Sequence, residues 1–355
     1  MAHATTLVAA GAASPSVPPP RRRRSARALR LDAVQVLTRL GLLPLALTII
    51  GLAQLSHRRL PAGARSRGRP RVYADASILV LALVGRLWQL STRELCDWLE
   101  RWPALAAACG LPSGRVIHPA HLARRVQALG PYPCWLLYLA LVERAIRTGL
   151  LRGRDVALDS TLVPAWSPHD PGAAWSYPSP KGRIFGYKVH VLLDRPARLP
   201  IAFVLSPANR NDLPFAYPLL GFARFVLGLS LQIVRADGAY WGLALVRFIV
   251  IVLGARPILP FNRKKQPLNR VRHLVWYRLS YAARAVIERF FAAAKRYYGL
   301  NTQYALGWEA VLRQVTLTHC AILVVALLAH QTGAPELRLS PTRVLAHYQP
   351  IEAAL

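Results

Sequence analysis

The order of apolar segments after residue 155 constrains the fold of this chain more than any other feature. Three strand-like runs, at 156–163, 187–193 and 200–205, are followed by alternating helical and strand-like patterns that reach residue 330. Short runs with a period of two are typical of strands, and longer runs with a period of 3.6 are typical of helices. We therefore predict an α/β fold, with a mixed five-stranded sheet and helices on its faces.

The remaining segments set the expected topology of this sheet. They are a helix at 211–227, a strand at 231–236, a helix at 241–253, a strand at 256–260, and helices at 281–298 and 308–330. The first three strands are predicted to form a meander, and the last two are predicted to join it through crossover helices.

The sequence before the sheet predicts short helices. The run Ser91-Thr-Arg-Glu94 is a capping box, and a later short helix ending at Leu129 carries Arg124 and Arg125. Short helices with a basic pair suit a helix-turn-helix-like module that contacts DNA through both arginines. An ordinary helical cap with a solvated basic face is the alternative interpretation.

Composition divides the chain into five parts. These are a basic arm predicted to be disordered (1–30), a helical segment with a basic linker (31–72), a small all-helical domain (73–150), the α/β domain (151–335) and a C-terminal tail (336–355).

The charge balance points to a polyanionic partner. The chain has 46 Lys and Arg against 16 Asp and Glu, a formal net charge of +30. Such a charge on a folded chain favours nucleic acid, with an anionic membrane surface as the second choice. The apolar runs at 40–56 and 315–328 are shorter than the roughly 20 residues that a membrane-spanning helix needs. We expect both to be buried helices and expect no stable membrane association.

Cysteine usage favours a reducing compartment. The four cysteines are far apart and none forms a CxxC pair, so neither a zinc site nor a redox pair is indicated. We expect four buried free thiols in a cytoplasmic protein.

Three carboxylates stand out in a chain poor in acid. Asp159 lies in the first predicted strand, Asp237 ends the fourth, and Glu288 lies in a predicted helix. Ligands commonly bind at strand ends in α/β sheets, and neighbouring first and fourth strands would bring the two aspartates together. Clustered carboxylates suit divalent metal ions that assist phosphoryl transfer. The competing acids Asp155, Asp194 and Asp212 rank lower, because they precede a strand or border turns.

The helix that carries Glu288 has a polar stripe. At 100° per residue, Tyr281, Arg284, Glu288 and Lys295 fall within about 60° of one another, and the apolar residues occupy the other side. A carboxylate between two cations suits a phosphodiester site. An exposed face with an Arg284–Glu288 ion pair is the alternative.

These motifs together resemble those of a known family. The spacing Tyr281-x2-Arg284-x3-Glu288-x6-Lys295 is similar to the YREK signature of DDE transposases of bacterial insertion sequences, groups four and five. ALDSTLV resembles the segment around that family's first aspartate, and ADGAYW the segment around its second. GYKVHVLLD and SPANRNDLPFAYPLL resemble its second strand and its third strand with the following helix. The resemblance covers roughly residues 67–330.

The resemblance implies an RNase H-like catalytic domain that binds two Mg²⁺ ions, with Mn²⁺ as a substitute. It makes Asp159, Asp237 and Glu288 the catalytic metal ligands, and it places Tyr281 and Arg284 with Lys295 on the DNA. It also implies hydrolysis at the element's end, transfer of the 3′-hydroxyl to target DNA, and a homodimer on double-stranded DNA that carries terminal inverted repeats. The expected location is the bacterial cytoplasm, on the nucleoid.

Further basic residues are expected to contact DNA phosphates, and three alternative functions stay open. These residues are Lys188 in the second strand and a basic loop with Arg263, Lys264, Lys265, Arg270 and Arg272. The alternatives are an RNase H-like nuclease or resolvase without strand transfer, an inactive DNA-binding relic, and a basic membrane-associated protein.

Overall fold

The computed structural model describes residues 72–112, 115–178, 182–260, 285–302 and 304–347. The first helices are α1 (Asp75–Leu87), α2 (Thr92–Arg101), α3 (Pro103–Ala108), α4 (Pro119–Leu129) and α5 (Tyr132–Arg147). The strands are β1 (Asp155–Pro164), β2 (Ala174–Trp175), β3 (Phe185–Asp194), β4 (Leu199–Pro207), β5 (Ile233–Arg235) and β6 (Arg256–Ile258). The later helices are α6 (Leu213–Gly221), α7 (Leu243–Arg247), α8 (Ala285–Tyr297), α9 (Trp308–Gln331) and α10 (Pro341–His347).

The sheet has the predicted mixed character. Strand β3 pairs antiparallel with β1 and β4, and β5 pairs parallel with both β1 and β6. A three-stranded antiparallel meander extended by two parallel strands, with helices in between, is the RNase H-like arrangement. The α/β prediction is thus confirmed.

The strand count differs from the prediction, because the sheet has six strands rather than five. The extra strand, β2, has two residues that pair with Phe185 and Gly186 of β3. So short a strand has no alternating pattern to reveal it. Gly186 allows the close approach there, since a Cβ at this position would lie 2.2 Å from the Val163 carbonyl oxygen.

Helices α6 and α7 are shorter than predicted and change geometry at their ends. Each continues into a π-helical turn, at Phe222–Val226 and Phe248–Val252. The π-helical turn after α6 follows Pro218, which lies inside α6 and cannot donate a backbone hydrogen bond. The capping box of α2 forms as predicted, with Ser91 and Glu94 bonding each other's backbone amides.

Helix α9 joins the helical segment to the sheet. It packs against α1, α5 and β4, and almost all of its side chains between Val315 and Leu327 are buried. By length and hydropathy α9 could cross a membrane, but 78% of its most apolar 18-residue window is buried inside the protein. One hydrophobic core therefore contains side chains of both the helical segment and the sheet.

A buried arginine fastens this junction. Arg86 of α1 donates from Nε to the Thr318 hydroxyl of α9 at 2.7 Å and from a terminal nitrogen to the Thr302 carbonyl at 3.2 Å. Burial lowers the pKa of Arg86 to about 10, so the guanidinium stays charged at neutral pH. Its hydrogen bonds compensate for the removal of that charge from water.

The cysteine prediction is confirmed. Cys96, Cys109, Cys134 and Cys320 are all buried and free. Burial raises the pKa of the Cys109 and Cys134 thiols to about 12, which makes both inert as nucleophiles at neutral pH.

Several predictions concern residues outside the described ranges. These are the arm at 1–30, the apolar run at 40–56, the linker up to residue 71, the basic loop with Arg263, Lys264, Lys265, Arg270 and Arg272, and the signature residues Tyr281 and Arg284.

Candidate active site

The register between β1 and β5 brings two predicted site residues to neighbouring positions. Ala157 of β1 pairs with Arg235 of β5 in a parallel ladder. Asp159 and Asp237 each follow two residues later on strands about 4.8 Å apart. Both aspartates are half-buried. The condition on which the sequence analysis brought the two aspartates together, adjacency of the first and fourth predicted strands, is therefore met.

Local hydrogen bonds orient both carboxylates. One oxygen of Asp159 accepts from the Ser160 amide at 2.9 Å, and one oxygen of Asp237 accepts from the Ala239 amide at 2.9 Å. The second bond caps the short 3₁₀ turn at Gly238–Tyr240. This turn ends β5 and sends Tyr240 back under the carboxylates.

Tyr240 shows which acids gather at this point. Its side chain is fully buried. Burial raises the pKa of its phenol well above the ordinary value, and the negative charges of Asp212, Asp159 and Asp237 raise it further. The hydroxyl also faces Ser160, whose side chain lowers the pKa. Asp159, Asp212 and Asp237 therefore all lie near enough to Tyr240 to act on its pKa.

Asp212, which the sequence analysis ranked below Asp159 and Asp237, lies in the same neighbourhood. The Ser160 hydroxyl donates to its carboxylate at 2.9 Å, and Lys188 Nζ lies 3.1 Å from the same oxygen. Asp212 stands at the start of α6, which packs on β3 and β4 and so returns over the sheet. An aspartate at a helix start has a sufficient local explanation, so its pattern carried no sign of this role.

Lys188 lies inside the site rather than on an open surface. Its Nζ also donates to the Arg210 carbonyl at 2.8 Å, and its side chain is 12% exposed. The structure thus gives this lysine a partner in Asp212, and its contact with DNA stays a prediction.

His190 supports the same corner from within the core. Its ring stacks on Phe215 at 4.1 Å, Nε2 lies 2.9 Å from the Ser206 hydroxyl, and Nδ1 lies 3.4 Å from Asp212. Burial lowers the pKa of His190 to about 4, although Asp212 opposes the shift. The imidazole is therefore neutral at pH 7, and its contact with Asp212 is not an ion pair.

Helix α8 brings the remaining predicted residues to β1. Lys295 Nζ donates to the Leu162 carbonyl of β1 at 3.1 Å. The apolar side of α8 is buried, as the periodicity predicts, through Val286, Ile287, Phe290, Phe291 and Ala294. Glu288 is exposed in the first turn of the described helix, seven residues before Lys295.

The carboxylate oxygens of the predicted triad are suitable ligands for a divalent metal ion, although the three side chains are not gathered around one point. Within the described ranges, no group of three or more His, Cys, Asp or Glu side chains is close enough to hold a metal ion. The neighbouring carboxylates of Asp159 and Asp237 are nevertheless the hard oxygen donors that Mg²⁺ prefers.

The two arginines predicted on the helical segment have different surroundings. Arg125 makes an ion pair with Asp75 and donates to the Tyr73 carbonyl at 3.1 Å, so it fastens α4 to the start of α1. Arg124, one position earlier, is exposed. Their contact with DNA stays a prediction.

Residues 151–324 match the family model described as the transposase DDE domain. The match supports a DDE transposase. Such domains generally use divalent metal ions, and the matched segment contains Asp159, Asp237 and Glu288.

Solved transposase structures show a distant likeness to this chain. A piggyBac transposase synaptic complex with hairpin DNA is 10% identical, with 91% of this chain and 80% of that chain covered and a TM-score of 0.44. The Mos1 strand transfer complex is 15% identical, with 78% and 84% covered and a TM-score of 0.21. The Mos1 paired-end complex with the left transposon end is 14% identical, with 82% and 84% covered and a TM-score of 0.20. No curated protein matches the chain.

Proposed function

We propose that this chain is a DNA transposase of the insertion-sequence type with a YREK signature. It binds the terminal inverted repeats of its element, hydrolyses the phosphodiester at the element's end and transfers the 3′-hydroxyl to target DNA. The observation that carries the proposal is the register of β1 and β5, which sets Asp159 beside Asp237 in a segment that matches the transposase DDE domain.

The position of α8 supports Glu288 as the third acid. Lys295 anchors this helix at Leu162, and Asp159 precedes Leu162 by three residues, about 10 Å along a strand. Glu288 precedes Lys295 by seven residues, about 10 Å along a helix. The two offsets along helix and strand are about equal, as the proposed pairing of Glu288 with Asp159 requires.

The metal ligands of the proposal are Asp159, Asp237 and Glu288. When bound, two Mg²⁺ ions, or Mn²⁺ in their place, supply Lewis-acid stabilisation of the attacking and leaving oxygens. The chain's own residues do the positioning. Lys295, fixed to β1, directs its positive charge to the DNA beside Glu288, and Lys188 is held next to Asp212 to neutralise a phosphate oxygen. This division of roles suits phosphoryl transfer, where positioning and charge neutralisation lower the barrier.

The partners and location follow from the same proposal. The net charge of +30 fits double-stranded DNA, with both element ends held by a homodimer. The proposed location is the bacterial cytoplasm, in association with the nucleoid.

A cleavage and joining assay tests the function. The substrate is a duplex that carries the flanking terminal repeats, incubated with the full chain and Mg²⁺. We expect cutting at the element's end and joining to target DNA, both lost in Glu288→Gln. The matched control is Glu100→Gln, the same chemical change at an exposed site on α2, which should keep both reactions.

Three outcomes would change the conclusion. Cutting without joining identifies a nuclease, and DNA binding without either reaction identifies a relic. Full activity in Glu288→Gln removes that residue from the site.

A further inference from the structure

A basic cleft lies at the end of the sheet opposite to the carboxylates. It has a volume of about 450 Å³, and its lining includes Arg152, Arg154, Asp194, Pro196, His330 and Arg338. Arg154 directly precedes β1, which begins at Asp155. Asp159 lies four residues beyond Asp155, a distance of roughly 13 Å along the strand. The cleft is thus separate from the candidate active site.

The carboxylate in this cleft, that of Asp194, accepts hydrogen bonds from backbone amides. Asp194 is buried, and its carboxylate accepts from the amides of Arg152 at 2.9 Å, Gly153 at 2.6 Å and Ala197 at 2.9 Å. These bonds tie the segment before β1 to the turn after β3. They fix the backbone that carries Arg152 and Arg154, and they satisfy the carboxylate without either guanidinium.

The neighbouring carboxylate, that of Asp155, also has partners. Asp155 is 2.6 Å from Arg195 Nε and 2.8 Å from Arg235 Nε, so it neutralises arginines other than those of the cleft. Within the described ranges, no carboxylate lies at ion-pair distance from Arg152 or Arg154. Both side chains are exposed.

Positive charges are crowded on the far wall. Burial lowers the pKa of Arg338, and the nearby charge of Arg198 lowers it further, while Asp194 and Glu336 act in the opposite direction. Arg152 Nε donates to the Gly149 carbonyl at 3.4 Å, which leaves its charge without a carboxylate partner in the described ranges. Like charges beside exposed arginines make a favourable place for an anion.

We propose that this cleft binds the phosphodiester backbone of DNA, at a site distinct from the one that performs the chemistry. The inference rests on the proposed function for the identity of the polyanion. A guanidinium group can bind two phosphate oxygens at once, which favours a phosphate ligand over a neutral one. Among the described residues, the lining contains no Trp, Tyr or Phe on which a base would stack, so the contact is to the backbone and independent of sequence.

The test compares salt dependence of binding. The double variant Arg152→Ala/Arg154→Ala is measured in the full chain against Arg224→Ala/Arg247→Ala, which removes the same charge from exposed sites elsewhere in the α/β domain. Affinities are determined between 50 and 200 mM salt for a duplex with the terminal repeat and for an unrelated duplex. Each lost phosphate contact lowers the slope of log affinity against log salt by about 0.9, so we expect a decrease of roughly 2.

The results separate the cleft from the proposed function. Support for the cleft is an equal decrease on both duplexes, a normal slope in the control variant and partial rescue by Arg152→Lys/Arg154→Lys. An unchanged slope, or the same decrease in the control, overturns the cleft and leaves the transposase proposal standing. A wild-type chain that binds neither duplex at 50 mM salt overturns both.

Discussion

The two ends of the central sheet use the same residue types in opposite ways. At one end, Asp159, Asp212 and Asp237 all raise the pKa of Tyr240, and Lys188 pairs with Asp212. At the other end, Asp194 accepts from backbone amides and Asp155 pairs with Arg195 and Arg235, while Arg152 and Arg154 stay at the surface. Neighbouring carboxylates suit metal ions, and exposed guanidinium groups suit phosphate. The difference lies in which groups the backbone satisfies.

The largest expected effect is at the carboxylate end. Asp159→Asn and Asp237→Asn should each lower DNA cleavage by at least about 100-fold, because a neutral amide is a poor metal ligand and stabilises less charge in the transition state. DNA affinity, measured alongside, should stay close to wild type. Asp97→Asn, at an exposed position on α2, is the control. Cleavage at the wild-type rate in either variant would place that aspartate outside the site.

A large loss of stability is expected from a substitution at the arginine end of the sheet. Asp194→Ala removes the acceptor of three backbone amides, two of which belong to buried residues. Buried donors without partners cost about 1–3 kcal/mol each, so the free energy of unfolding should fall by about 3 kcal/mol or more. Urea denaturation measures it. A loss below about 1 kcal/mol would show that Asp194 does not hold this end together.

Lowering the pH should lower the free energy of unfolding through a histidine at the carboxylate end of the sheet. His190 has a pKa lowered to about 4 in the folded protein, against an ordinary value of 6.5. The unfolded chain therefore binds the extra proton first, so this contribution to stability is complete above pH 6.5 and is lost as the pH falls towards 4. The total is up to about 3 kcal/mol. Urea denaturation across this range should show a shallower loss for His190→Gln than for wild type. Parallel curves for the two proteins would contradict the assignment.

The smallest effect is expected for Tyr240→Phe. Its hydroxyl is buried without a hydrogen bond of good geometry in the described structure, so removing it leaves no donor or acceptor unpaired. We expect stability to change by less than about 1 kcal/mol and cleavage by only a few-fold. A hundred-fold loss of cleavage at unchanged stability would instead give the phenol a direct part in the chemistry.

The sequence was sufficient for features that depend on periodicity. The alternation of β1, β3 and β4 and the buried face of α8 follow from where apolar residues recur. The adjacency of Asp159 and Asp237 depends on a strand order that the sequence left open and the structure supplies. Contacts between distant segments leave no such pattern. Asp212 joins the site only because α6 returns over β3, and the arginine cleft exists only because Asp194 joins two segments about 40 residues apart.

Helix α9 has a consequence for how this protein can be divided. Its apolar side chains are covered by α1 and α5 on one side and by the sheet on the other. A fragment that starts at residue 151 would keep Asp159, Asp237 and Glu288, yet it would uncover a 24-residue apolar helix. Such a fragment should be insoluble or should partition into detergent. The cover that α1 and α5 provide is thus what keeps a helix of membrane-like composition compatible with a protein proposed to work on DNA in water.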